Sequence, residues 1–217
     1  MSLLTLAQDE PSAPPLTPAD FLMPDELREW QSFTSAKRKR EWLGGRLCAY
    51  GCARQLIRSW QNSTRNWRLA NAEDGCPLWQ GDIPEILRET RISISHGGGY
   101  ALALMARLPV GADVQPRQAK VERVAGQFAH PEEKDILARL ASGENSLTRL
   151  TLLWSAKESL RKAAVGLPAF LDMRLVDGRR ENDGWGLTLT WQKGAREATV
   201  AALLYDDHAF AFCLLDK

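Results

Sequence analysis

Histidine is scarce in this 217-residue chain: His96, His130 and His208 are the three, and they lie far apart. Cysteine is nearly as scarce, and of the four only Cys48 and Cys52 fall within one helical turn of each other. No second pair has the spacing of a zinc module, so a zinc-finger protein is excluded and reduced, mostly buried thiols in a cytoplasmic protein are expected. The N-terminal stretch lacks a basic region followed by a continuous apolar one, so it does not read as a secretory signal. No apolar run approaches the ~20 residues that a membrane helix needs, and no membrane partner is expected. The net charge is only +1, which gives the chain as a whole no preference for a polyanion.

What is present is the mix of a soluble globular protein, 44% apolar and 25% charged, with eight tryptophans to pack between layers. The charge is unevenly spread. Residues 1–36 hold six acidic side chains against Arg28 alone, whereas residues 37–68 hold nine basic ones against Glu41 alone. Such asymmetry points to an anionic ligand, a nucleic acid or a membrane surface.

Pro11, Pro14, Pro15 and Pro18 make residues 1–20 an extended segment. A short helix is expected over Asp25–Phe33, and Ser35 caps a long one reaching about Trp60. Gly44, Gly45 and Gly51 lie inside that helix, where each costs up to ~1 kcal/mol, so close packing or close ligand approach must justify them. The basic run Lys37–Arg40 opens the same helix and opposes its dipole, which suits either a bound phosphate or a solvated face. Gly75–Trp79 reads as a turn entering a short extended piece. Strands are expected at Arg91–Ser95, Tyr100–Arg107 and Val110–Gln115, with Asp113 and Gln115 on one face of the last. An acid inside a short apolar strand is costly unless it is paired or binds a metal. Helices follow at Glu132–Leu140 and Ser146–Val165, then strands at Phe170–Val176, Trp185–Trp191, Thr199–Tyr205 and Ala209–Leu215. The expected fold class is α+β with antiparallel sheets.

Along the Ser146–Val165 helix, Trp154, Glu158 and Lys162 recur every four residues and form one stripe at about 3.6 residues per turn. Leu150, Leu153, Leu160 and Ala164 supply the apolar surface beside it. An aromatic, a carboxylate and an amine in one stripe can hold a metal and a phosphate together. The same spacing also describes an ordinary surface ion pair.

Three islands stand in order: Ser93-Ile94-Ser95-His96, Val110-Gly111-Ala112-Asp113-Val114-Gln115, and Trp154-Ser155-Ala156-Lys157-Glu158-Ser159-Leu160-Arg161-Lys162. With Lys39–Arg46 and Gly75-Cys76-Pro77 before them, they resemble the 4′-phosphopantetheinyl transferases of the long, Sfp-type branch over roughly residues 33–175. The resemblance implies two similar α+β halves in one pseudo-twofold chain, 21–108 and 109–217, with an active site in the cleft between them. It implies transfer of the phosphopantetheine arm of coenzyme A to a serine of an apo acyl or peptidyl carrier protein, with Mg²⁺ and release of adenosine 3′,5′-bisphosphate. By that resemblance Asp113 and Glu158 hold the metal, with Gln115 contributing weakly or through water. Lys162 faces the pyrophosphate, and Glu158, or a water held beside it, takes the serine proton. Arg40 and His96 look like the 3′-phosphate contacts. Ser95, Arg46 and Lys157 are further cofactor-contact candidates.

Two positions depart from the family pattern. Gln115 stands where many members carry Glu and lends no charge to a metal. Cys76 stands where some members carry a phosphate-binding lysine. The alternatives are a catalytically weakened member that binds coenzyme A or a carrier, and a nucleic-acid-binding protein using the basic helix of residues 37–68. Two fused halves imply a monomer.

Overall fold

A computed structural model of the chain describes residues 2–3, 17–57, 66–164, 166–192 and 194–216. Most of the expected extended segment, the region around Trp60 and position Val165 lie outside the described residues. The chain divides into two compact units, Met1–Arg107 and Leu108–Lys217. Both mix helices with antiparallel sheet, as expected of an α+β protein. No described helix is long and apolar enough to cross a membrane.

The first unit is built on one long helix. Helix α1 (Pro24–Ser32) leads into α2 (Ala36–Leu56), whose cap is Ser35: its hydroxyl accepts a bond from the Arg38 N–H at 3.3 Å. A three-stranded sheet runs in the order β1 (Ser2–Leu3), β5 (Tyr100–Ala106), β4 (Arg91–Gly97). Strands β4 and β5 form a hairpin turning on Gly98 and Gly99, both with positive φ, which glycine adopts without steric cost. A separate two-stranded sheet pairs β2 (Trp67–Asn71) with β3 (Pro77–Gly81), and a short α3 (Glu85–Arg88) precedes β4. Of these, only the entry to β3 was legible from the turn at Gly75-Cys76-Pro77.

The helical glycines of α2 are explained by packing. A Cβ on Gly44 would stand 2.9 Å from the Ala101 methyl, and one on Gly45 3.0 Å from Ile94. The helix therefore lies almost on the strands. Cys48 and Cys52, one turn apart, donate their thiols to the carbonyls of Ala101 and Ala103 at 3.4 and 3.6 Å. Burial pushes those thiols up to about 12 and about 11, so they stay protonated and act as small donors, not as nucleophiles. Tyr50 packs against Trp67 and Trp79, with ring centroids 5.9 and 5.7 Å away.

The second unit repeats the device on a larger sheet. Five antiparallel strands run in the order β6 (Val110–Pro116), β10 (His208–Leu214), β9 (Arg196–Tyr205), β8 (Trp185–Trp191), β7 (Arg174–Arg180). Strand β7 starts later than expected, because Phe170–Asp172 closes into a 3₁₀ turn first. A short α4 (Lys120–Arg123), α5 (Pro131–Leu140) and the long α6 (Ser146–Ala163) cover one face. Asn145 caps α6 by accepting from the Thr148 N–H at 2.9 Å. The core beneath α6 includes Leu153, Leu160, Leu187, Leu189, Val200 and Ala211.

Candidate active site

Close approach of α6 to β6 comes first, because it decides which side chains can meet. A Cβ on Gly111 would fall 1.7 Å from the Ser159 carbonyl oxygen, so no other residue fits there. The Ser159 hydroxyl donates to the Gly111 carbonyl at 2.9 Å, and Ser155 donates to Ala209 at 3.3 Å. These hydroxyls, one turn apart on α6, pin the helix to two neighbouring strands as Cys48 and Cys52 pin α2.

Pinned in this way, α6 is covered nearly all round. Between Leu150 and Ala163 only Trp154, Glu158, Arg161 and Lys162 escape full burial. The open face of the helix is thus the charged stripe, not a greasy one. Trp154 at its base packs edge-on to Phe128 at 4.8 Å and against Phe170 at 5.1 Å, which anchors the stripe in the core.

Asp113, two residues beyond Gly111 on the edge strand β6, points to the same face and is buried, its side chain only 8% exposed. The Lys162 ammonium donates to its Oδ1 at 2.8 Å and to the Ala112 carbonyl at 3.0 Å. Glu158, one turn before Lys162, is close enough to Asp113 to feel its charge. Burial first, and then the Asp113 carboxylate, push Glu158 above the usual carboxylate range, while Lys162 and Arg161 pull it back. Two carboxylates and an ammonium therefore converge. Gln115, next along the same face of β6, is half-buried and offers its amide nitrogen to the Pro116 carbonyl at 3.4 Å.

Whether these residues suit Mg²⁺ can be read from the donor set. Among the described residues no three His, Cys, Asp or Glu side chains gather, so there is no all-protein metal cage. Two hard carboxylates with an amide beside them, open on one side, fit an ion that prefers oxygen and takes its other ligands from water and substrate phosphate. The residues fit the metal.

Lys157 requires a correction. Its side chain is fully buried and its ammonium is saturated by Glu133 at 2.7 Å and the carbonyls of Phe128 at 2.7 Å and Phe170 at 3.3 Å. It cannot reach a cofactor. Glu133, which sequence reading passed over, also accepts from the backbone N–H groups of His130 and Leu175, at 2.6 and 2.7 Å, and so ties α5, α6 and β7 together. The signal was available: Lys157 falls on the Leu150, Leu153, Leu160, Ala164 stripe, at the buried spacing.

The first unit holds the remaining candidates. Ile94 faces α2, so His96 shares that face of β4 and Ser95 takes the opposite one, where it is buried with Ser93. The structure does not bring Ser95 to His96. His96 is half-exposed, with Nδ1 3.8 Å from Glu41. It pairs across the hairpin with Ala101, the residue that Gly44 abuts, and Arg40 stands one turn before Gly44 on α2. Arg40 and His96 thus lie at the same end of the helix–hairpin layer.

The neighbouring cations are occupied. Lys37 is 3.7 Å from Glu41, Arg38 stacks over Phe33 at 4.7 Å, and Lys39 lies over Trp30 at 5.0 Å. Of these four, Arg40 alone has neither ring nor carboxylate beside it among the described residues, and it is exposed. Arg46 is buried instead, 3.5 Å from Glu26 and stacked on Trp42 at 4.1 Å, so the structure gives its charge a packing partner. The Cys76 backbone N–H donates to Asp74 Oδ1 at 2.9 Å, and burial with Asp74 beside it pushes the thiol up. It carries no charge that could replace a lysine.

No curated protein is significantly similar to the chain. The model of the 4′-phosphopantetheinyl transferase superfamily matches residues 109–213, the segment running from the start of β6 through α6 to β10 and containing Asp113, Glu158 and Lys162. Over that segment, just under half of its length, the chain is similar to the 4′-phosphopantetheinyl transferase superfamily.

Proposed function

We propose that the chain transfers 4′-phosphopantetheine from coenzyme A to a serine hydroxyl of an apo acyl or peptidyl carrier protein, with Asp113 and Glu158 holding Mg²⁺. The observation that carries this reading is the convergence of Asp113, Glu158 and Lys162 on the one open face of α6, inside the segment matched by the family. Mg²⁺, when bound, supplies charge neutralisation on the diphosphate. The chain's own groups do the rest. Glu158, made more basic by burial and by Asp113, takes the proton of the serine hydroxyl. The serine oxygen then forms its bond to the pantetheine-side phosphorus as the bond to adenosine 3′,5′-bisphosphate breaks. Lys162 stabilises the charge on the departing bisphosphate. Arg40 and His96 bind the 3′-phosphate, as paired cationic and hydrogen-bonding groups suit an anion.

The test is incubation with coenzyme A, Mg²⁺ and an apo carrier, read as a mass gain on the carrier. Asp113→Ala and Glu158→Ala are each expected to reduce transfer by at least ~10³-fold with the fold retained by circular dichroism. Near-normal transfer by both variants would refute the assignment. Coenzyme A binding without any mass gain on the wild-type reaction would leave a binding protein.

A further inference from the structure

Lys162 has two acceptors, and one of them is the carboxylate assigned to the metal. Its ammonium is bonded to Asp113 Oδ1 at 2.8 Å and to the Ala112 carbonyl at 3.0 Å. Asp113 is almost wholly buried, whereas the Lys162 side chain is 29% exposed. The lysine can therefore swing toward solvent on its flexible stem, while the aspartate is fixed in its strand. A buried carboxylate beside a second carboxylate is costly without a cation. The ammonium supplies that cation within the protein itself.

We propose that Lys162 is the resident counter-ion of Asp113, and that a divalent cation must take Asp113 from it, so that lysine and metal compete for one carboxylate. This rests on the reading of Asp113 and Glu158 as the metal carboxylates. Two consequences follow from the geometry. Metal alone binds weakly, because part of its binding energy displaces an ammonium. The displaced ammonium, keeping only the Ala112 carbonyl, becomes available to an anion. A diphosphate that accepts Lys162 therefore makes room for the metal, and by linkage the metal makes Lys162 available to the diphosphate. The charged groups facing this point are Glu158, Arg161 and Lys162 on α6 and Asp113 on β6, with neutral Gln115 beside it. Arg161 acts on Glu158 through space, with no bond to Asp113, and so serves as the control for charge alone.

The experiment measures Mn²⁺ binding to the full chain without coenzyme A, by electron paramagnetic resonance of free Mn²⁺. Lys162→Gln is expected to bind about tenfold more tightly than wild type, and Arg161→Gln within about twofold of wild type. Alongside, the ¹⁵N signal of the Lys162 ammonium is expected to be protected in metal-free protein and to lose that protection when Mg²⁺ is saturating. Equal gains in the two variants, or a protected ammonium with Mg²⁺ bound, would overturn the competition and leave the metal assignment standing. If Mn²⁺ binds neither wild type nor Lys162→Gln, or if Asp113→Asn binds it as well as wild type does, the carboxylate reading fails, and the competition with it. Thermal melts of each variant separate a lost fold from a lost site.

Discussion

Glu158 occupies a position that stability alone would not choose. It is pushed above its ordinary value of 4.5 by burial and by Asp113, which means that its ionised form is disfavoured in the folded protein. For an acid raised on folding, the penalty is absent below the unfolded value and grows as pH rises through the folded one. The penalty is therefore larger near neutrality than at pH 4.5. Glu158→Gln keeps the shape and removes the charge, so it is expected to raise the unfolding midpoint by about 2 °C near neutrality. The gain is expected to shrink as pH falls toward 4.5 and the wild-type carboxyl takes up its proton. Melts of both proteins across that range check this. A variant that melts lower than wild type near neutrality would show that Glu158 stabilises the fold and is not strained by function. Lys157 next to it makes the contrast: it is also a buried charge, but satisfied on every side by Glu133 and two carbonyls.

At the scale of elements, the site depends on how closely α6 lies on β6. Gly111 sets that distance, since any Cβ there would run into the Ser159 carbonyl, a backbone atom that cannot swing aside. Gly111→Ala is expected to cost at least ~3 kcal/mol in chemical denaturation, or to prevent folding altogether. Loss of less than ~1 kcal/mol would mean that the helix can lift off the strand, and that the meeting of Asp113 with Lys162 is not held by packing. The two long helices, the cap at Ser35, and the strands β4, β5, β6, β8 and β10 were legible in the sequence because periodicity and capping are local signals. The β2–β3 hairpin was not, since Trp67–Asn71 shows no clean alternation and its strand character comes from Trp67 packing against Trp79 and Tyr50. Within the site, the Asp113, Glu158 and Lys162 set was legible from spacing joined to family resemblance. The fate of Lys157, Arg46 and Ser95 was not, because it turns on partners such as Glu133, Glu26 and Trp42 and on the face of a strand. Charge type can be read from a sequence, but a partner distant along the chain cannot.

For the whole molecule, the family match and the candidate 3′-phosphate contacts fall in different units. Residues 109–213 carry the match and the carboxylates, whereas Arg40 and His96 belong to the first unit and lie outside the match. Coenzyme A has a chemical handle that tests directly whether Arg40 and His96 bind it. Its 3′-phosphate is absent from 3′-dephospho-coenzyme A, while the diphosphate and pantetheine arm are the same in both. Arg40→Ala and His96→Ala are each expected to weaken coenzyme A binding about tenfold, the worth of one charged hydrogen bond. Neither is expected to change affinity for the dephospho form. Calorimetric titration of both ligands into both variants decides it. If the two ligands weaken together, Arg40 and His96 act on the fold of the first unit and not on the phosphate. If neither weakens, the anion is held by other residues, and the basic opening of α2 is a solvated face. Selective loss for coenzyme A alone would tie the first unit to the substrate through the two residues that its long helix and its hairpin bring to one end.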